Sequence, residues 1–293
     1  MNLLALLLLG LGAVVHQTEG LMIKKYNFKY KDGGMAFVSL IALFSMLFFV
    51  VTDRDGLCFT AELLPYGIVS GIIFAAASFM TSVALGCGSF VLTNLFLSYA
   101  LLIPTMYGIL LLNEPVSWIT VVGLVMIAAS IFFTRAVNDD GEDRGGERTS
   151  ILWIVAVSIS VVGSGAFAIM QKLQQVRFDQ SADSEFMIIT LATAAVLLFG
   201  IAAVKDGGAA FRTLRRGALY APIAGISNGA TNFINLTVNA MIPISIAAPS
   251  RSGVTIVVSF LIALLFFRER LSARQIFGVV IGIAALVLLN LKI

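Results

Sequence analysis

Residues 35–52 read MAFVSLIALFSMLFFVVT, an uncharged run of 18 residues with Lys31 and Asp32 before it and Asp53 and Arg54 after it. At 1.5 Å per residue a helix of that length measures about 27 Å, close to the ~30 Å hydrocarbon core of a bilayer. Comparable runs recur near 2–22, 63–85, 89–112, 117–134, 152–172, 185–204, 217–239, 243–267 and 272–291, which makes ten. A transmembrane barrel would instead show short segments of ~10 residues with alternating polarity. The reading is an all-α integral membrane protein with ten transmembrane helices.

Composition agrees. Of the 293 residues 59% are apolar and 12% charged, against roughly a quarter charged in soluble domains. A globule cannot hide that much apolar surface from water, so a lipid bilayer must be part of its solvent. The net charge of +3 is spread over loops and makes no case for a nucleic-acid partner. One histidine, His16, and two distant cysteines, Cys58 and Cys87, give no metal-ligand spacing and no disulfide framework, so no metal or cofactor is expected. An intramembrane enzyme would need a nucleophile with its base, a metal cluster or paired acids in the spans, and the sequence offers none; a channel would need charged rings or filter loops.

The two ends of the chain resemble each other. Gly10-Leu11-Gly12-Ala13 matches Gly163-Ser164-Gly165-Ala166, and Asp32 matches Glu185, at an offset of 153. Gly71 and Phe79 match Gly225 and Phe233 at 154, and Glu114, Ser117 and Gly123 match Glu269, Ser272 and Gly278 at 155. The first apolar run is thus a retained span and not a cleaved leader. The one long polar stretch, 138–150, divides a first five-helix repeat, 1–137, from a second, 151–293. Because five is odd, the second copy must cross in the opposite sense, giving two inverted five-helix repeats of the kind found in alternating-access carriers.

On Pro104, Asn113-Glu114-Pro115 and Gly123, and on Phe267-Arg268-Glu269-Arg270-Leu271, Gly278 and Gly282, the chain resembles the drug/metabolite transporter superfamily, in particular its ten-helix EamA group. The resemblance extends over nearly the whole length. It implies carriage of a small organic solute, a metabolite or drug-like compound, through a central cavity lined mainly by the first four helices of each half.

The residues suggest where such a cavity lies. Asn228, Asn232, Asn235 and Asn239 follow at steps of four, three and four, with Thr231 among them, so the carboxamides share one helical face. An amide facing lipid costs several kcal/mol; the face therefore looks at water or at other helices, either as a solute wall or as ordinary interhelical hydrogen bonding. Asn94 with Ser98, and Ser252 with Thr255 and Ser259, make shorter stripes that would stand opposite. Arg251 falls well inside an apolar run, where a charge costs on the order of 3 kcal/mol. It either snorkels to the interface or faces the cavity, where its partner would be a solute carboxylate or phosphate, or Glu19. His16 and Glu19, one turn apart, are candidates for proton coupling; small multidrug members of the superfamily carry an essential glutamate in their first helix. The competing reading sets Glu19, three residues from the expected end of its span, at the interface near Lys24 and Lys25. Glu114 and Glu269 are expected to serve the helix N-termini that they precede, and the Gly278/Gly282 step to allow close helix contact within one protomer or between two, in a monomer or homodimer.

The sequence thus predicts a multi-pass plasma-membrane secondary transporter, with an uncoupled facilitator or exchanger as the alternative. Basic residues number fourteen in the loops after spans 1, 3, 5, 7 and 9 and four on the opposite face; positive-inside reasoning puts the former in the cytoplasm and both termini outside.

Overall fold

The computed structural model describes residues 3–30, 32–53, 56–88, 90–114, 118–134, 151–178, 182–262 and 273–290. The expected linker at 138–150 and Glu269 lie outside these residues. The described chain is helical throughout: α1 (Leu3–Lys29), α2 (Gly34–Thr52), α3 (Leu63–Cys87), α4 (Phe90–Ser98), a 3-10 turn (Tyr99–Leu101), α5 (Leu102–Leu110), α6 (Trp118–Thr134), α7 (Ile151–Phe178), α8 (Asp183–Asp206), α9 (Gly208–Arg216), α10 (Tyr220–Met241), α11 (Ile244–Ile262) and α12 (Ala273–Asn290). By length and hydropathy α1, α2, α3, α7 and α8 each suffice to cross a membrane, and shorter apolar helices run through 96–110 and 121–130. Large apolar side chains such as Leu7, Val51, Val125, Val162 and Val196 are exposed on the outside, where lipid tails would cover them.

Two departures from the expected spans have local causes. The run 89–112 is broken into α4 and α5 by the 3-10 turn, which lies directly before Pro104. Proline has no N–H for the carbonyl four residues back, and its ring crowds that carbonyl, so the turn tightens there. Helices α1 and α7 run on past their apolar segments to Lys29 and Phe178, because a helix needs intact backbone hydrogen bonds and not an apolar sequence.

Packing pairs α1 with α10, α3 with α7 and α8, α2 with α8 and α10, and α6 with α12. The main core, including Phe49, Phe74, Phe186, Leu191 and Leu236, fills the space among α2, α3, α7, α8 and α10. Two matched glycines set the closest approaches. A Cβ placed on Gly71 would lie 2.6 Å from the Thr190 carbonyl oxygen of α8, and one on Gly225 would lie 2.7 Å from the Ile41 carbonyl oxygen of α2. Neither backbone oxygen can step aside. Gly225→Ala is accordingly expected to destabilise the protein by about 1–3 kcal/mol, whereas Gly10→Ala, with nothing within 4 Å of the new methyl, should be neutral or mildly stabilising. Thermal unfolding of both variants in detergent checks this; equal melting temperatures would contradict the close α2–α10 contact. Gly278 and Gly282 meet α6 of the same chain: Ser130 Oγ donates to the Gly278 carbonyl at 2.7 Å, and a Cβ at Gly282 would meet that hydroxyl at 2.7 Å.

Contacts at the helix ends sort the loops. Arg216 pairs with Asp32 at 2.7 Å, and Lys24 Nζ reaches the Gly88 carbonyl at 3.5 Å, so the segments after α1, α3 and α9 gather at one end. At the other, the Cys58 N–H donates to Glu185 at 2.7 Å. Glu114 also lies between chain segments far apart in sequence. Asn113 takes a left-handed turn, φ 49°, which asparagine tolerates better than most residues, and Glu114 then accepts the Ile244 N–H at 3.0 Å and the Ser245 N–H at 2.8 Å. It serves a helix N-terminus as expected, but that of α11 and not of the helix it precedes.

Candidate solute cavity

A cavity of about 250 Å³ lies among α1, α2, α3, α4, α5, α7, α10 and α11. Ten of the residues singled out from the sequence line it: His16 and Glu19 on α1, Asn94 and Ser98 on α4, Asn228, Thr231, Asn232 and Asn235 on α10, and Arg251 and Thr255 on α11. Ser252 joins them; the side chain of Ser259 lies outside the described residues. Apolar walls come from Leu9, Ile41, Phe74, Leu97 and Phe167. Asn94 and Ser98 line the same cavity as the α10 face, and Ser252 Oγ ties α11 to the Ser98 carbonyl at 3.4 Å.

The polar wall is a connected chain of hydrogen bonds. Asn228 Nδ2 donates to Glu19 Oε1 at 2.9 Å, and the other carboxylate oxygen is 3.6 Å from His16 Nδ1. Asn228 Oδ1 accepts from Ser45 Oγ at 2.9 Å and from Asn232 Nδ2 at 3.1 Å. Asn232 Oδ1 in turn accepts from Gln171 Nε2 at 3.1 Å. Asn228 and Asn232 thus bridge α1, α2 and α7 and also line the cavity. Thr231 Oγ1 is buried and has no hydrogen-bond partner among the described residues. Amides and hydroxyls both donate and accept, which suits a solute whose hydroxyl groups do the same.

Glu19 faces the cavity. Because α1 continues to Lys29, the carboxylate sits ten residues from the helix end, with its side chain 12% exposed. Arg251 does not pair with Glu19 either. One guanidinium nitrogen donates to Asn239 Oδ1 at 3.0 Å, so the last asparagine of the stripe braces the arginine and is not itself part of the cavity wall.

The sequence reading missed Gln171, Ser78, Thr81 and Ser164, which also line the cavity, and Ser45 behind it. A signal for Gln171 was present: Gln171, Gln174 and Gln175 fall on one face of α7 and all are buried. Gln175 reaches the Leu236 carbonyl at 3.1 Å.

Helices with an apolar exterior, enclosing a cavity lined by amides, hydroxyls and two or three ionisable groups, define a multi-pass membrane protein built to hold a small polar solute. The family described as Sugar transport protein matches residues 9–291, and the chain belongs to that family; the protein is a membrane transporter of small solutes. Comparison with curated proteins gave no match. Among 28 matching chains of solved structures is one described only as "Crystal structure of protein", with a TM-score of 0.64 and 13% identity over 96% of this chain and 99% of that one. That likeness speaks to the fold alone.

Proposed function

We propose that the protein is a secondary transporter of the plasma membrane that carries a small hydroxylated solute of the sugar class through this cavity by alternating access, with Glu19 and His16 coupling the movement to protons. The observation that carries the reading is the hydrogen-bonded polar wall of α1, α7 and α10, which with α4 and α11 lines a space of about 250 Å³. That volume is just below the ~300–1,000 Å³ common for drug-sized ligands and so favours a compact solute.

Two inverted five-helix repeats are part of this proposal, with α4 and α5 counted as one broken span and α9 as a short helix at one end. Exchanging α1, α2, α3, α4–α5 and α6 with α7, α8, α10, α11 and α12 turns the pair α1–α10 into α3–α7 and the pair α2–α10 into α3–α8, and returns α2–α8 and α6–α12 to themselves. Gly71 and Gly225 do equivalent work in equivalent pairs. This symmetry, with the matched sequence positions, supports kinship to the EamA group of ten-helix drug/metabolite carriers. The uncoupled alternative, a facilitator or exchanger, draws on one observation: the Glu19 carboxylate already has a hydrogen-bond donor in Asn228.

Saturable binding of a labelled pentose, hexose or polyol to purified protein in nanodiscs tests the solute class; absence of binding across such a panel would remove the sugar assignment. Orientation has its own test. The end that gathers Lys24, Asp32 and Arg216 is the basic one, and we assign it to the cytoplasm. Exposed Cys58 lies at the other end and should react with an impermeant maleimide on intact cells. In a Cys58→Ser background Gly141→Cys should not react until the cells are opened. The reverse pattern would invert the topology.

A further inference from the structure

Resting on the carrier reading, we infer that Arg251, at the cavity wall, is the head of an anion subsite backed by Asn239 and Lys172 behind it, so that the preferred solute carries a carboxylate or phosphate besides its hydroxyl groups. Arg251 lines the cavity, and it holds Asn239 Oδ1 at 3.0 Å. Lys172 Nζ donates to the backbone carbonyl of the same Asn239 at 2.9 Å. Two cations from different helices thus converge on one asparagine that is 1% exposed.

No ion pair involves either cation among the described residues. The carboxylate that the sequence put forward as a partner, Glu19, is engaged by Asn228 and His16. A partly buried pair of cations with no counter-charge among the described residues is costly, and a bound anion relieves that cost. Donors remain for it. Arg251 Nε and Asn239 Nδ2 are both buried without a hydrogen-bond partner among the described residues. The orientation of the Asn239 amide is fixed by its arginine contact, which demands an acceptor on that side, so the spare group is a donor. Unused N–H groups on a planar guanidinium and an adjacent amide suit the oxygens of a carboxylate or phosphate; a neutral hydroxyl would satisfy one of them and leave the charge uncompensated. The amide face at Asn228, Thr231 and Asn232 would take the hydroxylated body.

The test has two arms on purified full-length protein. In the first, melting temperatures are compared in acetate, inorganic phosphate and chloride at equal ionic strength. Acetate or phosphate should stabilise the wild type above chloride, and Arg251→Gln and Lys172→Gln should reduce that difference. In the second, competition binding compares glucose with glucuronate and glucose 6-phosphate. At least one acidic sugar should bind the wild type about tenfold or more tightly than glucose, and that ratio should fall in both variants, most in Arg251→Gln. Which acid wins distinguishes carboxylate from phosphate. Wild-type protein that gains nothing from either anion and does not favour the acidic sugars overturns the subsite even if no variant folds. Unchanged ratios in both folded variants overturn it too. Anion stabilisation that depends on Arg251, with none of the three sugars bound, supports the subsite and removes the sugar assignment instead.

Discussion

Asn232→Leu is expected to weaken solute binding by about two orders of magnitude, the loss of two hydrogen bonds at roughly 1–1.5 kcal/mol each. Leucine is close to asparagine in size but offers neither donor nor acceptor, and Asn232 sits at the middle of the chain that runs from Gln171 through Asn228 to Glu19. The substitution also leaves Gln171 Nε2 without its best acceptor. An unpaired buried group costs about 1–3 kcal/mol, reduced here because cavity water can replace the lost partner. A drop of a few degrees in melting temperature should therefore accompany the much larger loss of binding. Thr237→Val serves as the control on the same helix. Its hydroxyl bonds only to its own helix, at the Phe233 carbonyl 2.9 Å away, and binding should survive. Comparable affinities for Asn232→Leu and wild type would mean that the α10 face is helix packing and nothing more.

Glu19→Gln is expected to abolish accumulation driven by a pH gradient while solute still exchanges between equal pools. Glutamine keeps an oxygen to accept the Asn228 amide, found at 2.9 Å from Glu19, so the wall stays assembled, but it cannot carry a proton. Coupling requires that proton and solute affect each other's binding, and Asn228 joins the carboxylate directly to the amide face that would hold the solute. His16→Asn should weaken coupling less, because the imidazole is 42% exposed and 3.6 Å from the carboxylate. Paired uphill uptake and counterflow in proteoliposomes measure both. Normal gradient-driven accumulation by the two variants would favour the facilitator or exchanger.

How legible these features were depended on whether the deciding interaction is local. The α10 stripe could be read because four amides in an otherwise apolar run, at steps of four, three and four, announce a polar face whatever surrounds it. The break between α4 and α5 was not read, although Pro104 is a local signal for it. The end of the first helix was set too early because hydropathy falls off before Lys24 and Lys25, whereas α1 continues to Lys29. Gln171 was passed over for the same cause, lying one residue before the expected end of a helix that runs to Phe178. What sequence spacing cannot carry is contact between distant segments. Glu114 meeting Ile244, and Lys172 and Arg251 meeting Asn239, depend on how α5, α7, α10 and α11 pack together, and no periodicity along one helix encodes that.

The most direct test of the central claim, a carrier working by alternating access around this cavity, is trans-stimulation in proteoliposomes. Uptake of a labelled solute found to bind should rise when the same solute, unlabelled, fills the vesicle interior, and the label should transiently overshoot its equilibrium level, because a loaded carrier returns its site and an open pore does not. Uptake that ignores the interior solute and runs to equilibrium without overshoot would contradict alternating access and assign the cavity to a passive pathway.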